Sequence, residues 1–70
     1  MQDRAVYLRI GKNIRKYRLQ KRLSQEKLSE LISANDKFVG HIERGERVPS
    51  LKKLIKIALA LEIDIKYLFD

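Results

Sequence analysis

The sequence has no cysteine and no tryptophan, and only one histidine and one proline among its 70 residues. Without cysteine, neither a disulfide framework nor a thiolate metal site can hold the fold together. The lone histidine, His41, cannot form a metal cluster or a catalytic dyad within one chain, and no paired carboxylates or nucleophile–base set is present. These absences argue against an enzyme and against a metal or other cofactor. The chain is long enough for one small hydrophobic core.

Long apolar segments are lacking as well. The longest uninterrupted apolar run, Ile57 to Leu61, is far shorter than a membrane-spanning helix. Residues 1–12 also lack the apolar segment of a signal peptide. We therefore expect a soluble, cytoplasmic protein with no membrane partner, and no small-molecule ligand is evident.

Acidic residues are scarce in the first third of the chain. Residues 1–22 carry eight basic side chains and one acidic side chain, whereas residues 23–70 carry eight of each. The whole net charge of +7 therefore lies in the first segment. Nucleic acid would bind such a surface through phosphate contacts and counterion release. A solvated basic helix face, or a surface attracted to anionic lipid, would have the same composition.

Apolar residues recur with the spacing of α-helices, and no segment alternates with the period of a strand. A first helix is predicted from Asp3 to Lys21, with an apolar stripe of Val6, Ile10, Ile14 and Tyr17. A helix over 51–61, capped by Ser50, should bury Leu51, Leu54, Ile55, Ala58 and Leu61. Asp64 can cap a final short helix. With the two helices described next, the pattern predicts five helices in one all-α domain over residues 1–70.

The segment from Ser24 to Gly45 predicts two short helices joined by a tight turn. Ser24 can cap the first helix, whose apolar stripe is Leu28, Leu31 and Ile32. Asn35 can cap the second, predicted from Asp36 to Arg44, and Gly45 follows where a helix end favours a positive φ. In the second helix Phe38, Val39 and Ile42 face inward, and Asp36, Lys37, Gly40, His41 and Arg44 face outward. This is the shape of a helix-turn-helix DNA reader, but an ordinary helical hairpin shares it.

Residues 10–69 resemble the Cro- and phage-repressor-like helix-turn-helix family, also called the XRE type. The resemblance extends over the segment without a gap and rests on Ile10-Gly11, Ile14, Arg18, Leu23-Ser24-Gln25, Leu28, Ile42-Glu43-Arg44-Gly45, Pro49-Ser50, Ile57-Ala58 and Ala60-Leu61. The stretch FVGHIERGERVPSL is further similar to controller proteins of restriction–modification systems. The family resemblance implies a compact five-helix lambda-repressor-like domain with its helix-turn-helix at about residues 24–45. It also implies a homodimer that places residues 36–44 in the major groove of a palindromic operator.

The candidate DNA contacts are Gln25, Asn35, Asp36, Lys37, Gly40, His41, Arg44 and Arg47. The resemblance implies that Gln25 bonds a phosphate and braces the helix predicted over residues 36–44. It also implies that Arg18 and Glu43 pair with each other rather than touch DNA. Ser33 replaces the glycine usual in the turn, and Asp36 could accept a hydrogen bond from cytosine. Gly11 could let another helix approach closely.

The leading hypothesis is a sequence-specific, double-stranded DNA-binding transcription regulator that acts as a homodimer. The alternative is an antitoxin-type protein-interaction module that binds DNA secondarily. Apolar side chains near the C-terminus could form the dimer contact or simply close the core: Ile65, Tyr67 and Phe69. Lys52 and Lys53 could extend the phosphate contacts, or form a solvated face.

Overall fold

The computed structural model describes residues 3–70, which fold into four α-helices and a closing 3₁₀ helix. The elements are α1 (Asp3–Gln20), α2 (Gln25–Leu31), α3 (Phe38–Glu43), α4 (Leu51–Leu61) and the 3₁₀ helix (Ile65–Phe69). No strand occurs between residues 3 and 70, and the all-α prediction is confirmed. The count of five α-helices is not, because the last element is a 3₁₀ helix. None of the helices in this range is long and apolar enough to cross a membrane.

Polar side chains cap three of the helices at the predicted positions. Ser24 Oγ and Ser50 Oγ each accept a hydrogen bond from the amide three residues further on, at 2.9 and 3.1 Å. Asp64 accepts one from the amide two residues further on, at 3.0 Å. Each bond satisfies an amide that has no partner within its helix. The starts of α2, α4 and the 3₁₀ helix are therefore encoded locally.

Helix α3 starts later than predicted. The side-chain oxygen of Asn35 accepts a hydrogen bond from the amide of Lys37 at 2.9 Å, and its carbonyl accepts one from Phe38 at 2.9 Å. These bonds close a turn that contains residues 36 and 37. The predicted start at Asp36 is wrong because Asn35 forms a local turn instead of capping the helix directly.

All five elements contribute to one apolar core. Its buried members are Ile10, Ile14, Leu28, Ile32, Val39, Ile42, Leu54, Ile57, Ala58, Leu61 and Leu68. Burial of a large aliphatic side chain stabilises a fold by about 1.5–3 kcal/mol. In a chain without cysteine, this core carries the stability that disulfides supply in other small proteins.

Four side chains predicted to be buried are exposed instead. Val6, Leu31, Leu51 and Ile55 keep between 44% and 65% of their surface exposed. The first buried residue of α1 is Ile10, so Val6 lies one turn beyond the core. Leu31 occupies the last position of α2 and lies on its outward side.

Helix α4 is rotated relative to the prediction. Its buried side runs through Leu54, Ile57, Ala58 and Leu61. Three large apolar residues form a second stripe, spaced four residues apart, that faces outward: Leu51, Ile55 and Leu59. Periodicity could not choose between the stripes because this helix is apolar on both sides. We call this second set the outer stripe of α4.

The C-terminal apolar residues divide between core and surface. Ile65 packs against the core, whereas Tyr67 and Phe69 are 41% and 47% exposed. The side-chain amide of Asn13 donates to the carbonyl of Leu68 at 3.0 Å, which fastens the 3₁₀ helix to α1. Of Ile65, Tyr67 and Phe69, only Ile65 therefore contributes mainly to closing the core.

Gly11 allows α1 and α3 to make backbone contact. A β-carbon at this position would lie 2.5 Å from the carbonyl oxygen of Ile42 and 2.8 Å from that of Glu43. Backbone oxygens cannot rotate away as a side chain can, so any larger residue would force the helices apart. The predicted close approach at Gly11 is confirmed, and it fixes the distance of α3 from the scaffold.

Two residues adopt the left-handed conformation at the ends of the helix-turn-helix helices. Gly45 follows α3 with φ at 71°, as predicted, and a β-carbon there would meet a methyl group of Leu8 at 2.6 Å. Ser33 follows α2 with φ at 57°. A residue with a β-carbon is strained in this region, whereas glycine is not.

Replacing Ser33 with glycine should therefore stabilise the protein. We expect Ser33→Gly to raise the free energy of unfolding by about 1 kcal/mol, because the relief of left-handed strain exceeds the added freedom of the unfolded chain. Urea denaturation followed by circular dichroism measures the change. Ser33→Ala is the control, since it removes the hydroxyl but keeps the β-carbon and should give no gain. Equal stabilisation by both variants would show that the strain argument is wrong.

Candidate nucleic-acid interface

A buried ion pair ties the end of α3 to α1. Arg18 Nε donates to one carboxylate oxygen of Glu43 at 2.6 Å, and Nη2 donates to the other at 3.1 Å. Arg18 also donates to the carbonyl of Leu23 at 2.6 Å. The two charged side chains are only 7% and 3% exposed. A two-point contact fixes orientation as well as distance, so the predicted pairing of these residues is confirmed and α3 is held at one angle.

Gln25 connects this ion pair to α2. The Ser24 cap places Gln25 in the first turn of α2, and its side-chain nitrogen donates to Glu43 Oε1 at 2.9 Å. The carboxylate of Glu43 thus accepts hydrogen bonds from two helices at once. This bond confirms the predicted bracing role of Gln25, while its contact with a phosphate stays a prediction.

Ser29 links the two helices of the helix-turn-helix from within. Its hydroxyl oxygen accepts a hydrogen bond from the amide of Val39 at 3.1 Å, and its carbonyl accepts one from Ala34 at 2.8 Å. Ser29 is completely buried, so these bonds are shielded from water. The sequence did not reveal this role, because a serine within a polar helix is usually a solvent-facing residue.

Three of the predicted DNA contacts lie on one outward side, with His41 within α3 and Lys37 and Arg44 at its two caps. Lys37, His41 and Arg44 follow one another at helical spacing, and the buried residues Val39 and Ile42 lie on the opposite side. Lys37 and Arg44 are exposed, and His41 is partly exposed. We call these three side chains the reading face. A single helix that carries such a row has the dimensions to enter a DNA major groove.

Gly40 lies on the predicted outward side of α3 but is buried there, because the side chains of Arg44 and Gln25 cover it. A β-carbon there would lie 3.1 Å from Arg44 Nη1 and 3.1 Å from the side-chain oxygen of Gln25. The side chain of Arg44 folds back over α3, and it approaches Gln25 above this glycine. The missing side chain makes room for both of them, and a direct DNA contact by Gly40 stays a prediction.

Glu46, which the sequence prediction overlooked, holds two members of the reading face. Its Oε1 lies 2.9 Å from His41 Nδ1, and its Oε2 accepts a hydrogen bond from Arg44 Nε at 3.1 Å. The hydrogen bond from Arg44, followed by that from His41, keeps the pKa of the Glu46 carboxyl below its ordinary value. The only signal in the sequence was an acid placed between two arginines. Its contact with His41 depends on how the chain turns after α3.

The remaining candidates lie at the two ends of α3. Asn35 and Asp36 are exposed in the turn before it, and Arg47 is exposed in the loop after it. The guanidinium of Arg47 lies 5.6 Å from the ring centre of Phe38, a cation–π distance. The structure thus brings all three close to the reading face, and their DNA contacts stay predictions.

Lys53 has an internal partner. Its ammonium group donates to the carbonyl of Ile32 at 3.1 Å and lies 5.9 Å from the ring centre of Phe38. A cation at this place satisfies a free carbonyl at the end of α2 and complements the helix dipole. Lys53 therefore supports the turn between α2 and α3, and its contact with a phosphate stays a prediction.

The start of α1 lies beside the loop that follows α3. Arg4 Nη1 donates to the carbonyl of Gly45 at 3.4 Å. Gly45 directly follows Arg44 and lies two residues before Arg47 in the sequence. Part of the positive charge of residues 1–22 thus lies at the edge of the reading face. Lys21, at the other end of α1, is instead paired with Glu62.

The chain belongs to the helix-turn-helix family of DNA-binding regulators of the XRE type. A family model described as "Helix-turn-helix" matches residues 14–68, which include α2, α3 and the buried ion pair. The predicted family resemblance is confirmed. Members of this family are regulators rather than enzymes.

Relatives of the chain carry the names of controller proteins. Control protein C.SmaI of Serratia marcescens is 38% identical over 56 residues, which cover 80% of this chain and 67% of that protein. Control protein C.BamHI of Bacillus amyloliquefaciens is 38% identical over 66 residues, or 93% and 82%. The solved structure of the restriction-modification controller protein C.AhdI from Aeromonas hydrophila is similar, with a TM-score of 0.88 and 40% identity. That match covers 93% of this chain and 98% of C.AhdI.

Removing one member of the buried ion pair should destabilise the protein more than replacing both. Arg18→Met or Glu43→Leu alone leaves a buried charge without its partner, at a loss of about 3–5 kcal/mol. The double variant should be more stable than either single variant, because no unpaired charge remains. Urea denaturation of the three variants measures this.

Lys21→Met is the matched control, since it breaks an ion pair that is open to solvent. We expect it to shift the urea midpoint only slightly, because exposed pairs contribute little to stability. If the free energy of unfolding lost in the double variant equals the sum of the two single losses, Arg18 and Glu43 are not coupled and the prediction is wrong.

Proposed function

We propose that this chain is a restriction–modification controller protein. In this proposal it is a sequence-specific regulator that binds a palindromic operator in double-stranded DNA as a homodimer, with residues 36–44 in the major groove and residues 1–70 acting as one domain. The observation that carries it is the reading face, formed by Lys37, His41 and Arg44 and braced from behind by the buried Arg18–Glu43 pair. The names of the relatives support the assignment to a controller.

Phosphate contacts and base contacts have different roles in this proposal. Arg44, Arg47 and Gln25 would contact phosphates, with Arg4 at the edge of the same surface. These contacts set affinity and register but carry no sequence information directly. Lys37 and His41, in the middle of the reading face, would contact base edges and select the operator.

The brace behind α3 favours specific binding. Glu43 is held by hydrogen bonds from both Arg18 and Gln25, and Gly11 sets the distance between α1 and α3. A surface that is already ordered loses little conformational freedom on binding, so more of the contact energy is available for discrimination. Few side chains are then enough to read a site.

The outer stripe of α4 is the surface that we assign to the homodimer. Leu51, Ile55 and Leu59 are 65%, 46% and 72% exposed, and Leu31 is 49% exposed. Leu31 and Leu59 line one groove, so the apolar surface continues from α4 onto α2. A second copy would cover it with an identical patch, as a two-fold interface requires. The antitoxin-type alternative would use the same surface for a different protein, and the names of the relatives favour the regulator.

Selection from random duplex DNA tests the function directly. We expect the unaltered protein to enrich a palindrome whose half-sites lie about one helical turn apart. Lys37→Ala should then weaken binding to the selected operator about tenfold more than binding to random duplex, because a base contact contributes about 1–3 kcal/mol of discrimination. Fluorescence anisotropy at two salt concentrations measures both affinities. Equal losses on both duplexes would restrict Lys37 to a phosphate role.

A charge in the outer stripe should separate the two copies. We expect Leu59→Asp to convert a dimer to a monomer in sedimentation velocity experiments and to weaken operator binding about a hundredfold, since two linked half-sites bind far better than one. Far-UV circular dichroism should still show a folded helical monomer, because Leu59 lies outside the core. Leu19→Asp is the matched control: Leu19 is 50% exposed but lies on α1. An unchanged dimer in the Leu59 variant would place the interface elsewhere.

A further inference from the structure

The contact between Glu46 and His41 determines which ring nitrogen carries the proton. Glu46 Oε1 lies 2.9 Å from His41 Nδ1. An ionised carboxylate can only accept hydrogen bonds, and the lowered pKa keeps Glu46 ionised at neutral pH. The hydrogen between the two atoms therefore belongs to the ring. A neutral His41 in this position is protonated on Nδ1.

Arg44 does not offer an alternative assignment. Its Nη2 lies 3.4 Å from the same Nδ1, and a guanidinium can only donate. If Nδ1 accepted that longer bond, its lone pair would face the carboxylate oxygen at 2.9 Å. Two acceptors at this distance repel each other, so the shorter contact decides. Arg44 is instead held by its own bond to the other oxygen of Glu46, at 3.1 Å.

The second ring nitrogen, Nε2, is the available polar atom of His41. Nδ1 is directed to Glu46 in the loop after α3, and Nε2 lies on the far edge of the ring. No hydrogen bond between residues 3 and 70 involves Nε2. His41 lies between Lys37 and Arg44 on the reading face, and its side chain is 41% exposed. In the neutral tautomer that Glu46 imposes, Nε2 carries a lone pair and accepts a hydrogen bond.

We propose that Glu46 is a positioning residue that makes His41 a selector for bases with an amino group. This inference rests on the proposed function, because it assigns a base class to one residue of the reading face. In the major groove, cytosine presents its N4 amino group and adenine its N6 amino group as donors. Guanine presents only the acceptors N7 and O6 there, and thymine presents the acceptor O4. These acceptors would face the lone pair of Nε2 and would not bond with it. His41 thus selects cytosine or adenine at its position.

The tautomer can be measured without DNA. In the full chain at about pH 8.5, where histidine side chains are generally neutral, nitrogen NMR should show the proton of His41 on Nδ1. Glu46→Gln should keep it there, because the amide oxygen still accepts a hydrogen bond. Glu46→Ala should release it, and the population with Nε2 protonated should rise. A ring that is protonated mainly on Nε2 in the unaltered protein would overturn the proposal.

Base selection is measured with operator duplexes that differ at one pair. After the operator has been selected, the position that depends on His41 is the one whose preference disappears in His41→Ala. There the unaltered protein and Glu46→Gln should favour cytosine or adenine over guanine or thymine by about five- to tenfold, the size expected for one hydrogen bond to a base. Glu46→Ala should lose most of this preference and keep the preferences at other positions.

A matched variant separates this effect from charge. Glu62→Gln removes one acidic charge from an exposed ion pair with Lys21, on the far end of α1, and should leave the preference intact. Equal base preference in Glu46→Ala and the unaltered protein, or a preference for guanine, would overturn the role of Glu46. Failure of the unaltered protein to select any duplex would instead refute the proposed function, while the tautomer measurement would still report on the contact itself.

Discussion

The position of α3 depends on one buried carboxylate. Glu43, at the end of α3, accepts hydrogen bonds from Arg18 on α1 and from Gln25 on α2. A buried ion pair adds little net stability compared with a well-packed apolar pair, because desolvation offsets much of the attraction. Its value here is geometric. A two-point bond and a third bond from another helix allow one orientation of α3, whereas an apolar contact would allow several.

The sequence predicted the parts of the fold that depend on local chemistry and on repeated spacing. The caps at Ser24, Ser50 and Asp64, the left-handed Gly45 and the close approach at Gly11 all follow from residue types with few alternatives. The exposed apolar side of α4 could not be predicted, since the helix carries two apolar stripes. The choice of buried stripe depends on where α4 meets the other helices, and spacing within one helix contains no information about that.

The site was predicted less completely than the fold. Lys37, His41 and Arg44 lie together as the outward pattern of α3 indicated. Gly40 was predicted to be open on the outward side of α3, but it is buried there because Arg44 and Gln25 lie over it. The roles of Glu46 and Ser29 depend on contacts made through a turn, five and ten residues along the chain. Such contacts follow from the path of the backbone rather than from composition, and a single sequence does not define that path.

The backbone contact at Gly11 has a mechanical meaning. Two carbonyl oxygens of α3 lie only 2.5 and 2.8 Å from the position that a β-carbon on Gly11 would occupy, so at this point the helices touch with no side chain between them. Helix α3 consequently has almost no room to shift relative to α1. In the proposed complex with DNA, little adjustment of fit can come from α3. It would have to come from bending or twisting of the duplex, whose stiffness itself varies with base sequence.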